Sequence, residues 1–312
     1  MNTKSSNNGL LIVGSVAYDS IKTPFGKIDK TLGGSASYFS LAASYFTTAA
    51  LVAVVGEDFA DADKDVLAKR NVNLEGLKKI PGKTFAWGGE YSFDMNTRTT
   101  LFTELNVFEN FKPQLSETQS QAQYVFLGNT HPALQLEVLN QISSPKLVGL
   151  DTMNYWIEKA LPDLKNVLGK VDLLVINDSE ARELSGEHNL VKAVKQILLL
   201  LKQSPKTALI IKRGEYGLLL FAENEIFNLP GYPLEDVIDP TGAGDSFAGG
   251  FMGYLAKIDA TNMESLKQAC VAGSALASFC VEKLGTERLQ NLTENNIQKR
   301  MNDFKTLTHF EI

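Results

Sequence analysis

The feature that most constrains this chain is an alternation of short apolar runs with longer amphipathic stretches. Leu10–Val13, Ala50–Val55, Tyr124–Leu127, Lys146–Leu150, Leu173–Ile176 and Ala208–Lys212 read as strands apolar on both faces, as a sheet covered by helices on both sides demands. Between and after them, Ala36–Phe46, Ala60–Arg70, Pro132–Gln141, Asn189–Gln203, Ser246–Lys257, Met263–Glu282 and Glu294–Phe304 carry helical periodicity. Strand–helix alternation makes the sheet mostly parallel with right-handed crossovers. The fold class is therefore α/β, doubly wound, with helices on both faces. No Pro-rich or Ser-rich linker interrupts it, and residues 1–312 read as a single domain.

Two segments break the pattern. From Lys83 to Asn96, Phe85, Trp87, Tyr91, Phe93 and Met95 fall on one face, and Thr84, Glu90, Ser92, Asp94 and Asn96 on the other. Period two with one polar face is a half-exposed antiparallel strand. It turns at Met95-Asn96-Thr97-Arg98 and returns over Thr99–Val107. Asp19–Leu32 reads as a second hairpin, turning near Pro24-Phe25-Gly26. Together, residues 19–32 and 83–107 are expected to form a small β-sheet lid. Its aromatic face must bury against the main domain, a ligand or a second subunit.

Charge and composition narrow the partners. The chain has 30 Lys+Arg against 36 Asp+Glu, a net charge of −6. That balance argues against a nucleic-acid surface, which needs clustered cations. It leaves room for one anionic ligand held by a few local donors. Residues 1–9 lack the apolar core of a secretory signal, and no apolar run reaches the roughly 18 residues that span a bilayer. The expectation is a cytoplasmic protein with no membrane partner. Cys270 and Cys280 make neither a disulfide framework nor a structural zinc site, and read as small buried apolar residues.

In open parallel sheets, ligands bind beyond the carboxyl ends of the strands. Those exits here carry Gly14 to Asp19, Gly56-Glu57-Asp58, Gly128-Asn129, Asp151, Asn177-Asp178-Ser179-Glu180 and Lys212 to Gly217. Any strand exit collects turn residues, so no single exit is specific. The specific segment is Asp239-Pro240-Thr241-Gly242-Ala243-Gly244-Asp245-Ser246-Phe247-Ala248-Gly249-Gly250. Its glycines free the backbone just before a helical stretch, where consecutive N–H groups bind an anion without a cationic side chain. Asp245 falls in the first helical turn. Spacing alone allows two roles, a helix cap or a base that takes the proton of a hydroxyl attacking a bound phosphate. Gly82-Lys83-Thr84 ends like a P-loop, but its glycine spacing is wrong and a strand follows it. No Gly-x-Gly-x-x-Gly follows the first strand, which argues against a dinucleotide-dependent dehydrogenase.

The Asp239–Gly250 block closely resembles the C-terminal signature of the ribokinase-like (PfkB) carbohydrate and nucleoside kinases. Gly33-Gly34, Val55-Gly56-Glu57-Asp58, Asn177-x-x-Glu180 and Arg213-Gly214-x-x-Gly217 follow in that family's order, so the resemblance spans about residues 10–290. It implies a doubly wound domain with a small β-sheet lid. It also implies ATP-dependent, Mg²⁺-assisted transfer of the γ-phosphoryl group to a hydroxyl of a sugar or sugar-containing small molecule. A nucleoside is the alternative acceptor, and a non-catalytic sugar or nucleoside sensor is the alternative of another class. By similarity, Asp245 is the base, and Gly242, Ala243 and Gly244 supply the anion hole. Asn177 and Glu180 organise Mg²⁺ largely through water. Lys212, Arg213, Gly214 and Gly217 form the nucleotide-side loop, Ala272 and Gly273 face adenine, and Asp239 matches a position that joins a K⁺ site. On the acceptor side, Asp19 binds hydroxyls, Gly33 and Gly34 form the lid hinge, Asn129 and Asp151 line the floor, and Asn96 and Arg98 reach in from the lid turn. Tyr38 stands where many sugar-kinase members carry Asn, which points to a larger or flatter acceptor. His131 reads as a loop residue. The aromatic stripe of Phe85, Trp87, Tyr91 and Phe93 gives a homodimer through the lid as a further expectation.

Overall fold

A computed structural model describes residues 9–309. Residues 1–8, part of the segment read above as lacking a signal sequence, lie outside the described residues, as do 310–312. The strands in chain order are β1 (Leu10–Val13), β2 (Ala17–Thr23), β3 (Gly26–Gly33), β4 (Ala49–Val55), β5 (Asn73–Lys79), β6 (Phe85–Tyr91), β7 (Arg98–Glu104), β8 (Tyr124–Leu127), β9 (Leu147–Asp151), β10 (Leu173–Asn177), β11 (Ala208–Lys212), β12 (Leu218–Ala222) and β13 (Glu225–Leu229). Nine of them form one sheet in the order β13-β12-β11-β10-β9-β8-β1-β4-β5, and β3-β2-β6-β7 form a second. The large sheet is parallel from β5 through β11 and closes with two antiparallel strands.

Strand alternation divides the core in two. Leu10 and Ile12 of β1, Tyr124 and Phe126 of β8, and Leu173 and Val175 of β10 face one buried cluster. Their neighbours Leu11, Val13, Val125, Leu127, Leu174 and Ile176 face the other. The first cluster is covered by the Ser35–Ala43, Ala243–Ile258 and Met263–Cys280 helices, and the second by Pro132–Leu139, Leu161–Leu168, Asp178–Ser185 and Leu190–Leu200. The Ala243–Ile258 helix is clasped between two others through small residues. A Cβ on Gly249 would lie 2.1 Å from the Phe39 carbonyl oxygen, and one on Gly250 3.0 Å from the Gly273 Cα.

The six expected core strands and the expected helices are present, as is the Asp19–Leu32 hairpin. Three strands were not foreseen. β5 and β13 sit at the sheet edges and carry mostly exposed or half-buried residues, so they lack a continuous apolar run. β12 pairs antiparallel to β11 right after the Gly214–Gly217 turn. The lid strand also ends earlier than expected, at Tyr91 instead of Asn96. There the Asp94 Oδ1 atom accepts from Ser92 Oγ at 2.9 Å, Asn96 N at 3.1 Å and Thr97 N at 3.0 Å, closing a turn. Phe93 consequently projects from that turn, 84% exposed, and Met95 has a positive φ.

Candidate active site

The Ala243–Ile258 helix begins at Gly242, whose φ of 75° is left-handed. A Cβ there would lie 2.3 Å from the Tyr38 ring, so both conformation and space require glycine. Ser246 anchors the turn through its N and Oγ, which donate to the Gly242 carbonyl at 2.8 and 2.7 Å. Of the three expected anion-hole donors, Ala243 N is already bonded to the Pro240 carbonyl at 3.2 Å. Gly242 and Gly244 flank it at the mouth of the helix.

Asp245 stands in the first turn, half-buried, its carboxylate accepting from its own backbone N–H. Burial, then the charge of Asp151, pushes its carboxyl up to about 7, against the pull of Lys212 and Arg98. Asp151 ends β9 and is 7% exposed. Lys212 ends β11 with its Nζ 4.0 Å from Asp151 Oδ2, and a Cβ on Gly244 would lie 2.8 Å from that Nζ. The lysine thus lies between the strand exits and the helix mouth. Burial alone would lower its pKa, but Asp151, Glu180 and Asp245 together raise it, so it stays charged. Glu180 is pushed up to about 7 by burial and by Asp151.

Asn177 and Glu180 first serve the backbone. Asn177 Oδ1 accepts from Glu180 N at 2.8 Å, and Glu180 Oε2 accepts from Asn177 N at 2.7 Å. This reciprocal capping box starts the Asp178–Ser185 helix and points the Glu180 carboxylate toward Asp151 and Lys212.

The second sheet closes the other side. Asp19 on β2 is 4% exposed and held up to about 7 by burial, with Asp239 and Asp245 adding to the rise, while the Gly34 N–H and Arg98 oppose it. Gly33 leaves room for it, since a Cβ there would lie 2.0 Å from Asp19 Oδ2. Gly34, with φ 87°, turns the chain into the Ser35–Ala43 helix. Tyr38 is 1% exposed, with its ring beneath Gly242 and its hydroxyl without a protein partner. It is a buried partition behind the acceptor side. Arg98 begins β7, lies 5.2 Å from the Trp87 ring centroid and favours the ionised forms of Asp19, Glu180 and Asp245. Asn96, in the same lid turn, reaches Gly214, where a Cβ would lie 3.1 Å from its Oδ1. Gly214 and Gly217 both adopt positive φ.

The remaining expected residues take other places. Asn129 is fixed by Trp156, whose Nε1 donates to its Oδ1 at 3.0 Å. His131 caps the Pro132–Leu139 helix and packs edge-on against Trp156. Arg213 turns from the helix mouth to Tyr216 O and Asn228 Oδ1, at 3.0 and 2.8 Å. Ala272 and Gly273 are buried where the Ala243–Ile258 and Met263–Cys280 helices cross, against Phe247 and Gly250, and present no open wall. Asp239 is fully buried, not an exposed turn residue. Its two oxygens accept from Thr241 N and Gly285 N, each at 2.8 Å. These two bonds brace the loop ahead of the helix mouth. Sequence reading missed Trp156 as the support of Asn129. It also missed Gln135, whose Nε2 ties the Gly128 and Asp151 carbonyls together at 2.9 and 3.1 Å. Neither contact has a local sequence signal.

Residues 9–292 match the family described as pfkB family carbohydrate kinase. Among curated relatives, the chain is 26% identical to the cytidine kinase of Thermococcus kodakarensis over 78% of this chain and 88% of that protein. Among solved structures, the nucleoside kinase of Methanocaldococcus jannaschii superposes with a TM-score of 0.77 at 21% identity, covering 95% of this chain and 98% of that one. The nucleoside kinase of Burkholderia thailandensis in complex with ADP-inosine gives 0.76 at 19%, covering 94% and 95%.

Proposed function

The chain belongs to the pfkB family of carbohydrate kinases, and from that premise we propose that it moves the γ-phosphoryl group of ATP to a hydroxyl of a nucleoside, with Asp245 as the base. It is a phosphotransferase with a hydroxyl acceptor of the sugar or nucleoside kind. One observation carries the catalytic assignment: Asp245 sits at the helix mouth beside Gly242 and Gly244 and shares its surroundings with Asp151, Lys212 and Arg98. In the step proposed, the acceptor hydroxyl gives its proton to Asp245 and its oxygen bonds to the γ-phosphorus. The bond from that phosphorus to the bridging oxygen breaks, and ADP leaves. Backbone N–H groups at the helix mouth and the Lys212 ammonium oppose the charge on the transferring group. Asp19 accepts from acceptor hydroxyls, and the second sheet serves as the lid of a single domain, with Arg98 carried over the cleft.

The donor set suits Mg²⁺ bound through water. Among the described residues no group of three or more metal-binding side chains converges, but Glu180 and Asp151 are hard oxygen donors that repel one another. Mg²⁺ bound there would neutralise phosphate charge, and Glu180 and Asp151 would hold its water shell.

A nucleoside is favoured over a free sugar by the aromatic edge of His131, Trp156 and Tyr155 beside Asn129, and by the cytidine and nucleoside kinases among the similar proteins. The test is ADP release from ATP and Mg²⁺ with ribonucleosides, ribose and fructose as acceptors. We expect kcat/KM for at least one nucleoside to exceed both sugars at least ~tenfold, the scale of a lost pocket contact. A sugar that matches or exceeds every nucleoside refutes the acceptor assignment. We also place the enzyme in the cytoplasm, in keeping with its free, buried cysteines and with no described helix long and apolar enough to cross a membrane. We assign the β7 edge, with Leu101 and Phe102 exposed, to a homodimer contact. A monomer by light scattering refutes that contact.

A further inference from the structure

Thr241 immediately precedes the helix mouth and is held on three sides. Its N–H goes to Asp239, its carbonyl accepts from Cys280 Sγ at 3.4 Å, and its Oγ1 donates to the Tyr91 hydroxyl oxygen at 3.1 Å. The first two partners belong to the same side of the molecule as the loop. Tyr91 does not: it ends β6, in the second sheet, 150 positions away in sequence. Both members of this hydrogen bond are 8% exposed, and Arg98, paired with Tyr91 across β6 and β7, also reaches the tyrosine hydroxyl. Five residues further on, Asn96 of the same lid turn touches Gly214. The lid arm therefore contacts the loop at the helix mouth with one end and the nucleotide-side loop with the other.

We infer that Tyr91 is a positioning residue, whose hydroxyl fixes Thr241 and thereby couples the placement of the lid to the conformation of the Gly242–Gly244 backbone. This rests on the reading of that backbone as the phosphoryl-binding element. A phenolic oxygen suits this role, because the ring is anchored in the lid while the oxygen accepts from Thr241 and from Arg98 together. When the lid holds Arg98 over the cleft, the same side chain holds the loop. When the lid moves away, Thr241 loses this tie and keeps only its bonds to Asp239 and Cys280.

Two measurements on the full chain test this. The first needs no acceptor: amide hydrogen exchange of wild type, Tyr91→Phe, Thr241→Val and the double variant. Each single substitution should speed exchange at residues 241–246 about fivefold, the size of one neutral hydrogen bond, and the double variant no further. Unchanged exchange at those residues, or additive effects in the double variant, overturns the coupling. Thr241→Ser, which keeps the hydroxyl, should restore wild-type exchange. If Thr241→Ser behaves like Thr241→Val, the hydroxyl bond is not the tie. The second measurement is steady-state turnover with ATP and the best acceptor among cytidine, adenosine and ribose. Tyr91→Phe should lower kcat about fivefold with the KM for ATP within twofold, because the tie acts on the transferring group. A loss that falls wholly in the KM for ATP overturns the inference. Wild type inert toward all three acceptors would count against the functional reading, while the exchange result still decides the tie.

Discussion

Asp245→Asn separates the two roles that sequence spacing leaves open, because they predict opposite signs of stability change. Folding raises the Asp245 carboxyl from 3.8 to about 7, chiefly by burial and then by Asp151. Between those values the folded protein keeps a proton that the unfolded chain has released. Stability contributed by the site therefore falls as pH rises through that window, and the full penalty is present above about pH 7 and absent below about pH 4. The rise bounds the penalty at ~4 kcal/mol. Asp245 is half-buried, and Lys212 loses a partner when it is neutralised, so a net gain of about 1–2 kcal/mol is the figure to expect for the carboxamide at pH 8. A helix-stabilising carboxylate gives the reverse, a loss of about 0.3–1 kcal/mol on removal. Urea denaturation at pH 8 and pH 4 measures the difference: the variant should gain stability at pH 8 and lose that gain at pH 4. Turnover should fall about 10²–10⁴-fold, the contribution of a positioned base. A variant that is less stable at pH 8 and keeps kcat within tenfold refutes the assignment of Asp245 as base.

Lys212→Met removes the cation that holds Asp245 down, so the base ionises at higher pH. The rising limb of kcat against pH should move up by about one pH unit, giving roughly a tenfold lower rate on that limb, and an unmoved limb refutes the electrostatic role. Gly33→Ala places a Cβ against Asp19 Oδ2 and should raise the KM for the acceptor at least ~tenfold with the KM for ATP within twofold; equal changes in both, from initial rates, count against Asp19 as an acceptor contact. Asn177→Ala strips the capping box and should cost about 1 kcal/mol by urea denaturation.

The inner strands were legible because burial on both faces forces an unbroken apolar run, as in Leu173–Ile176. β5 and β13 were not, because an edge strand is covered unevenly and looks like loop. Asp19, Asp151, Lys212 and Asp245 were legible as strand exits and a helix mouth, and the structure brings Asp151, Lys212 and the helix mouth together. Asn177 and Glu180 show a different limit. Their spacing is that of a capping box, yet the same pair carries a carboxylate into the charged cluster, and the pattern does not separate the two roles. Ala272 and Gly273 have small side chains for a helix crossing, and a ligand wall asks for the same thing. Arg213 was misdirected because Asn228, its partner, lies on a strand that had not been foreseen. Tyr91 was visible as part of an alternating stripe, but its bond to Thr241 crosses the molecule and leaves no local trace.

The clasp on the Ala243–Ile258 helix bears on how such an enzyme can be tuned to temperature. At Gly249, Gly250 and Gly253 the helix is pressed against the backbone of its neighbours, and a Cβ at any of the three would lie within about 3 Å of a backbone atom. Residues 243–248, nearly two turns and about 9 Å of rise, precede the clasp, with the first turn foremost. Residues 239–246 and the side chains that touch them, among them Tyr38, Tyr91 and Cys280, can therefore change without disturbing the clasp. Substitutions in the clasped body would change how long the protein survives, and substitutions around the projecting turn would change how fast it works.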